Sequence, residues 1–378
     1  MKKIALTLFA GILLSCPVFA AQEDIKLPKS TEVLEGEIIE LEPQEALPQQ
    51  DNILQDITVE KTKLQGFIDE HYYLDKGLVK IKINDKMRFD FGAIGVMDWK
   101  TNQDEEDWHS KYKFGSIDFV LSGEINEYLD YKAQVYADRN IEEETIFGDL
   151  WLRGRYKNYT AQIGRMRKSF GYEPTFSSYD LDFVSRSQIS RLFGDNRDSG
   201  GKIIAKYKYA DIATGLYASM QDQPFDFSHK GIEFNSWLTL KPLADFPELG
   251  DLKLAGGLAM GKRDYSYNNY GLFASYNYKK IGLKSEYLYK EASFYDEMEA
   301  DGFYVDGTYS LTDKLQAALR FDSYNPDRNS QDRRSNEYTA GLNYFINNKN
   351  IMLALNYVFC DYDVDSHRVA LQMRYKTW

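Results

Sequence analysis

The chain has 378 residues, with two cysteines, four histidines and nine prolines. Past its first twenty residues it has no apolar run long enough to cross a bilayer as a helix. Each scarcity excludes something. Cys16 falls in the leader described below, so Cys360 has no partner in the mature chain and no intramolecular disulfide forms. No Cys-x-x-Cys or Cys/His cluster occurs, which argues against structural zinc, and no cofactor is expected. His71, His109, His229 and His367 are scattered and read as loop or strand-end residues. No Gly-x-Ser-x-Gly motif occurs and no histidine stands near a promising serine, so a membrane-edge hydrolase is disfavoured. The net charge is -12 and no basic face is visible, so nucleic acid is not a partner.

What is abundant is aromatic. There are 29 tyrosines and 22 phenylalanines against a mean hydropathy of -0.52. Tyrosine favours strands and also membrane–water boundaries, where a ring needs one apolar and one wet end. A soluble all-β enzyme shares that composition, so the choice rests on pattern.

The first residues carry an address. Lys2 and Lys3 precede the uncharged run Ile4 to Leu14, and Val18 and Ala20 supply small residues before Ala21. This reads as a signal peptide over 1–20, with the mature chain beginning at Ala21. Residues 21–77 follow as an acidic N-terminal segment. Its 21–60 portion holds 11 acidic side chains and two lysines, with Pro28, Pro43 and Pro48 interrupting any long helix. The segment reads as a largely disordered periplasmic spacer, with a short helix over 53–64; a docking role of 22–60 for a periplasmic partner is the sharper alternative.

Residues 78–378 read as a barrel. From about residue 86, segments of about ten residues alternate apolar and polar side chains. Leu129, Tyr131, Ala133 and Val135 oppose Asp130, Lys132, Gln134 and Tyr136. Val369, Leu371, Met373 and Tyr375 oppose Ala370, Gln372, Arg374 and Lys376. Period two places the two series on opposite sheet faces. Strands are predicted to start near 86, 113, 129, 147, 159, 200, 212, 231, 251, 268, 281, 301, 315, 336, 351 and 367. Short turns alternate with long polar connections, and the chain stops on the aromatic Trp378, one residue out of step with the last apolar series. The fold class is therefore all-β: a transmembrane antiparallel β-barrel of about 16 strands, in contact with outer-membrane lipid. Closure satisfies the backbone in hydrocarbon. A ring of that size cannot fill its interior with side chains, so it leaves a wet lumen for small hydrophilic solutes.

The longest connection, Arg167 to Gly200, follows the fifth strand. It is read as folding inward to narrow the bore; the alternative is a cover on the outer surface. The stretch 147–200 resembles the phosphate-selective porin O and P family. The match runs through Gly164-Arg165, Lys168-Ser169-Phe170-Gly171-Tyr172-Glu173, Ser177-Ser178 and Ser185-Arg186-Ser187. Ser169 stands where that family usually has proline, and Ser185 where it usually has glutamate. The resemblance implies a bacterial outer-membrane location and a homotrimer of 16-stranded barrels that passes anions such as phosphate or polyphosphate.

Anion selectivity needs fixed positive charge where the path is narrow, and arginine's planar fork suits phosphate. Alternation puts Arg153 and Arg155 on the lumen side, and Lys202, Lys206 and Lys208 on the strand after the long loop. Arg165 precedes that loop, which adds Arg167, Lys168, Arg186, Arg191 and Arg197. These eleven are the candidate pore-lining, anion-guiding residues. The competing reading pairs the loop bases with Glu173, Asp180, Asp182, Asp195 and Asp198, giving a stiffened loop in a nonselective or weakly cation-selective pore. A barrel that merely tethers the envelope through its acidic arm is a further alternative.

Overall fold

Along the segment Ile281–Ala292, Ile281, Leu283 and Tyr287 are exposed while Gly282, Glu286 and Leu288 are buried. That is the inverse of a soluble protein, and the same inversion recurs around the molecule. A computed structural model of the chain describes residues 72–377, apart from 76–77, 85–86, 103–108, 138–146, 194–196, 219–230, 263–264, 294–297, 331–332, 347–349 and 363–364. The leader over 1–20, the acidic segment to residue 71, the helix at 53–64, His71, His229, Asp195 and Trp378 lie outside the described residues.

The chain divides into two units, Met1–Asp75 and Lys76–Trp378. In the first, the described residues form one short strand, β1 (Tyr72–Asp75). The second opens with β2 (Leu78–Asn84), which pairs with the start of the next strand. Sixteen strands then follow in order. They are β3 (Met87–Asn102), β4 (His109–Glu124), β5 (Leu129–Tyr136), β6 (Phe147–Tyr156), β7 (Tyr159–Arg167), β8 (Arg197–Lys206), β9 (Ala210–Tyr217) and β10 (Glu233–Leu240). The second half comprises β11 (Asp251–Lys262), β12 (Ser266–Tyr278), β13 (Ile281–Ala292), β14 (Met298–Ser310), β15 (Leu315–Asn325), β16 (Ser335–Ile346), β17 (Ile351–Asp361) and β18 (Ser366–Lys376).

Every strand from β3 to β18 pairs antiparallel with its sequence neighbours. The ring closes between β18 and β3, in a register running from Ser366 opposite Asn102 to Lys376 opposite Gly92. Thr377 extends the seam: its amide donates to Phe91 O at 3.0 Å, and its Oγ1 accepts from Phe91 N at 2.8 Å. Closure leaves no edge among these strands, which is what hydrocarbon demands of a sheet. All sixteen predicted starts fall within four residues of the observed ones.

Ile163, Ile203, Leu272 and Leu319 are each at least 60% exposed on the outer face. Such a belt is untenable in water and is what lipid requires. Rings flank it: Phe303, Phe321, Tyr338, Phe359 and His367 adjoin in sequence across β14 to β18, with centroids 5.0–6.0 Å apart. The alternation of connection lengths is less regular than the sequence suggests. The 241–250 connection, which holds a 3-10 turn at Pro247–Leu249, joins β10 to β11 at the end where the others are short. At the opposite end, 263–265 and 362–365 are no longer than turns.

Candidate functional site

Between β7 and β8 the chain makes its longest excursion, 168–196, and the local sequence explains its shape. Gly164 in β7 has φ +123°, and a Cβ there would sit 2.3 Å from Leu150 O, so the strand passes its neighbour only with glycine. Gly171, at φ +77°, turns the chain, and Pro174 then starts a 3-10 turn over Glu173–Thr175. Ser177 caps a second such turn, Ser178–Asp180, by accepting from Tyr179 N. A short helix, α1 (Gln188–Phe193), precedes β8.

The excursion packs on apolar side chains of one part of the wall. Phe170, Ile189 and Phe193 cluster with Trp237, Ala259, Phe273, Leu288, Ala300 and Tyr304 from β10 to β14. Phe170 meets Trp237 edge to face at 5.7 Å, and Tyr172 stacks on Phe273 at 3.6 Å. These wall residues belong to the buried series, opposite the lipid-facing one, so the excursion lies against the inner wall. This part of that wall is apolar, where strict alternation predicts polar side chains. Trp237, Phe273 and Leu288 are accommodated because protein, not water, covers them.

Polar contacts extend the anchorage from β13 to β18, and many read the excursion's backbone. Glu286 accepts from the amides of Tyr172 and Glu173, and Asn356 accepts from Val184 N at 2.7 Å. Asn343 donates to Asp182 O at 2.8 Å, and Arg374 donates to the carbonyls of Leu181 and Phe183. Arg320 joins Asp306 at 2.7 Å and Glu173 at 2.7 Å, and all three are almost wholly buried. Burial alone would raise the Glu173 carboxyl. Arg320, with donation from Ser187 and Ser190, outweighs it and holds Glu173 below the ordinary carboxylate range. Lys284 pairs with Asp182, and Lys376 with Asp180.

The predicted residues divide into three sets. Arg153, Arg155, Arg165, Arg167, Arg197 and Lys202 lie on the wall formed by β6 to β8, opposite the strands that carry the excursion. There Arg153 and Arg155 share Asp130, at 2.8 and 2.9 Å. Arg197 and Lys132 share Asp149, at 2.7 and 2.8 Å. Arg153 is also 4.7 Å from the Trp151 ring centre. Lys202 donates to Arg167 O at 3.1 Å, Arg167 donates to Pro174 O at 3.1 Å, and Arg165 is buried. Lys168, Arg186 and Arg191 form the second set and serve the anchorage. Lys168 meets Glu233 at 2.7 Å in a buried pair; Arg186, 6% exposed, donates to the carbonyls of Glu173 and Phe176; and Arg191 meets Glu337 at 2.8 Å.

The third set lies at the barrel's rim. Lys206 is the exposed last residue of β8, and Lys208 lies past it in the 207–209 turn, paired with Asp245. Both sit at the short-turn rim, where β8 ends at Lys206 and leaves Lys208 outside the strand alternation. The acids Glu173, Asp180 and Asp182 are also partnered differently from the pairing within the loop that the sequence suggested. Their cations, Arg320, Lys376 and Lys284, come from the wall. Those three, with Arg374 and Glu286, are the site residues that sequence reasoning left out. Period two on β13, β15 and β18 marks them as inward, but nothing local shows that the excursion reaches them.

Residues 246–375 match the family model described as phosphate-selective porin O and P. No curated protein sequence matches the chain. Among solved structures, the anion-selective porin from Comamonas acidovorans is similar at a TM-score of 0.57 and 10% identity, covering 77% of this chain and 99% of that one. The outer membrane channel DcaP of Acinetobacter baumannii gives a TM-score of 0.56 at 11% identity, over 77% and 97%. Salmonella typhi OmpF, in complex with daunomycin, gives 0.56 at 15% identity, over 81% and 100%. At these identities the structures speak to the fold alone. The earlier resemblance rests on 147–200 and the model on 246–375, so two separate stretches point the same way. With its closed 16-stranded barrel and that match over residues 246–375, the chain is a porin-like barrel of the bacterial outer membrane that resembles the phosphate-selective porin O and P family.

Proposed function

We propose that this porin is a passive diffusion channel for small hydrophilic solutes that prefers anions, phosphate among them. The observation that carries the reading is the sharing of acids on the β5 to β8 wall. Asp130 answers two arginines, and Asp149 answers an arginine and a lysine. Glu124 also meets Arg155 at 3.2 Å, so the first cluster holds two bases and two acids, while the second gathers two bases on Asp149. Arg153 and Arg155 are about a third or more exposed, so their charge reaches the lumen water. The excursion 168–196 is anchored on β10 to β18, which leaves the passage to run between it and this basic wall. In that reading the excursion is the constriction, and a local field of one sign sets the transported ion whatever the charge of the whole molecule.

Three further parts belong to the proposal. The barrels assemble as a homotrimer, residues 1–20 are removed on export, and the acidic segment to residue 77 is a periplasmic spacer. The test is charge reversal at the shared acids' partners. In a planar bilayer, Arg153→Glu with Arg155→Glu lowers the anion-to-cation permeability ratio several-fold. A zero-current potential identical to that of the unaltered protein rejects the assignment.

A further inference from the structure

Arg320 of the inner wall and Lys168 of the excursion each face carboxylates: Arg320 has Asp306 and Glu173, and Lys168 has Glu233. Arg374 is held differently. It stands on the inner face of β18 at 2% exposure, among the largest fully buried side chains of the protein. Its guanidinium donates to Leu181 O, Phe183 O and Gln372 Oε1, all of them neutral acceptors. Asp180 and Asp182 act on it electrostatically, but each is already ion-paired, with Lys376 and Lys284. Arg186, the other charge that acts on it, adds positive charge.

Burying a cation without a carboxylate is costly, and neutral carbonyls return only part of what is lost. A neutral donor could pin the same two carbonyls at less cost. What arginine adds is charge, and a buried charge is screened by salt far less than an exposed one. We propose that Arg374 is a specificity-determining residue. Its unneutralised charge, held beneath the excursion at Leu181–Phe183, makes the potential of the passage positive and favours anions without touching them. The inference rests on the anion-preferring reading above and adds a source of field that the exposed bases do not supply.

Gln372→Glu tests it with little change of shape. The new carboxylate takes the place of the Gln372 amide, keeps both carbonyl contacts of Arg374, gives up the 3.4 Å donation to Val184 O and cancels the charge. The expected result is a fall of about twofold or more in the anion-to-cation permeability ratio at unchanged single-channel conductance. Arg374→Met removes the charge and the latch together, so its ratio falls while its conductance also changes. Arg374→Lys keeps the charge with poorer hydrogen bonds and holds the ratio of the unaltered protein. An unchanged ratio in Gln372→Glu overturns the proposal. So does a ratio in Arg374→Lys as low as in Arg374→Met, which would make the residue a structural pin. The anion-preferring reading is judged separately, by the absolute ratio of the unaltered protein; the inference is judged by the shift between variants.

Discussion

Single residues show where the structural cost of this barrel is concentrated. Arg320 holds Glu173 of the excursion and Asp306 of the wall at once, in a site closed to solvent. Arg320→Met strands two buried carboxylates and costs about 3–5 kcal/mol. Hydrogen exchange of the amides in 181–188 reads the effect: they lose protection in the variant while the strands keep theirs. Glu173 offers a finer test, because its carboxyl is held below the ordinary range, whose reference value is 4.5. A depressed carboxyl contributes stability that is present above its unfolded pKa and lost as pH falls through its folded one. Protection in Glu173→Gln is therefore weaker than in the unaltered protein at pH 7, and the gap closes only as pH drops below 4.5. A gap that persists at acid pH contradicts the ionised assignment. At this scale the sequence was partly legible. Arg320 is visibly inward, two residues from Ala318 and Asp322 on one face, but its partner is 147 positions away. No periodicity reports that kind of distance.

Among the elements, strands and excursion differ in how much of them can be read locally. A strand's period, length and turns are all near-neighbour properties, which is why the sixteen starts emerge from the sequence within a few residues. The departures have local causes that the pattern does not carry. The 241–250 connection holds its own 3-10 turn where a short hairpin was implied, and β8 stops before Lys208. The path of 168–196 is decided by tertiary contact: Phe170, Ile189 and Phe193 seek a surface that the strand alternation treats as wet. Ile189 is wholly buried in that cluster, so Ile189→Ala weakens docking by about 2–5 kcal/mol, seen as faster proteolytic cleavage of the excursion in the otherwise folded barrel. Deleting 178–190 leaves the closed sheet and roughly doubles single-channel conductance or more. A deletion protein that folds and conducts like the original would show that the excursion does not limit the passage.

For the whole molecule the decisive property is inversion. Apolar side chains face out around the ring, charged ones face in, and the β18–β3 seam leaves the barrel strands without an edge. That arrangement assigns lipid to one face and solute to the other. Net charge is a poor guide at this scale, since a chain of -12 carries a wall on which two bases share each of two acids. The central claim is that the passage along this wall conducts and favours anions. The zero-current potential of the unaltered protein in a planar bilayer under a potassium chloride gradient tests it most directly. The account predicts a potential with the sign of chloride over potassium that moves toward zero as salt rises. A potential with the sign of potassium, or a bilayer that stays closed, would contradict it.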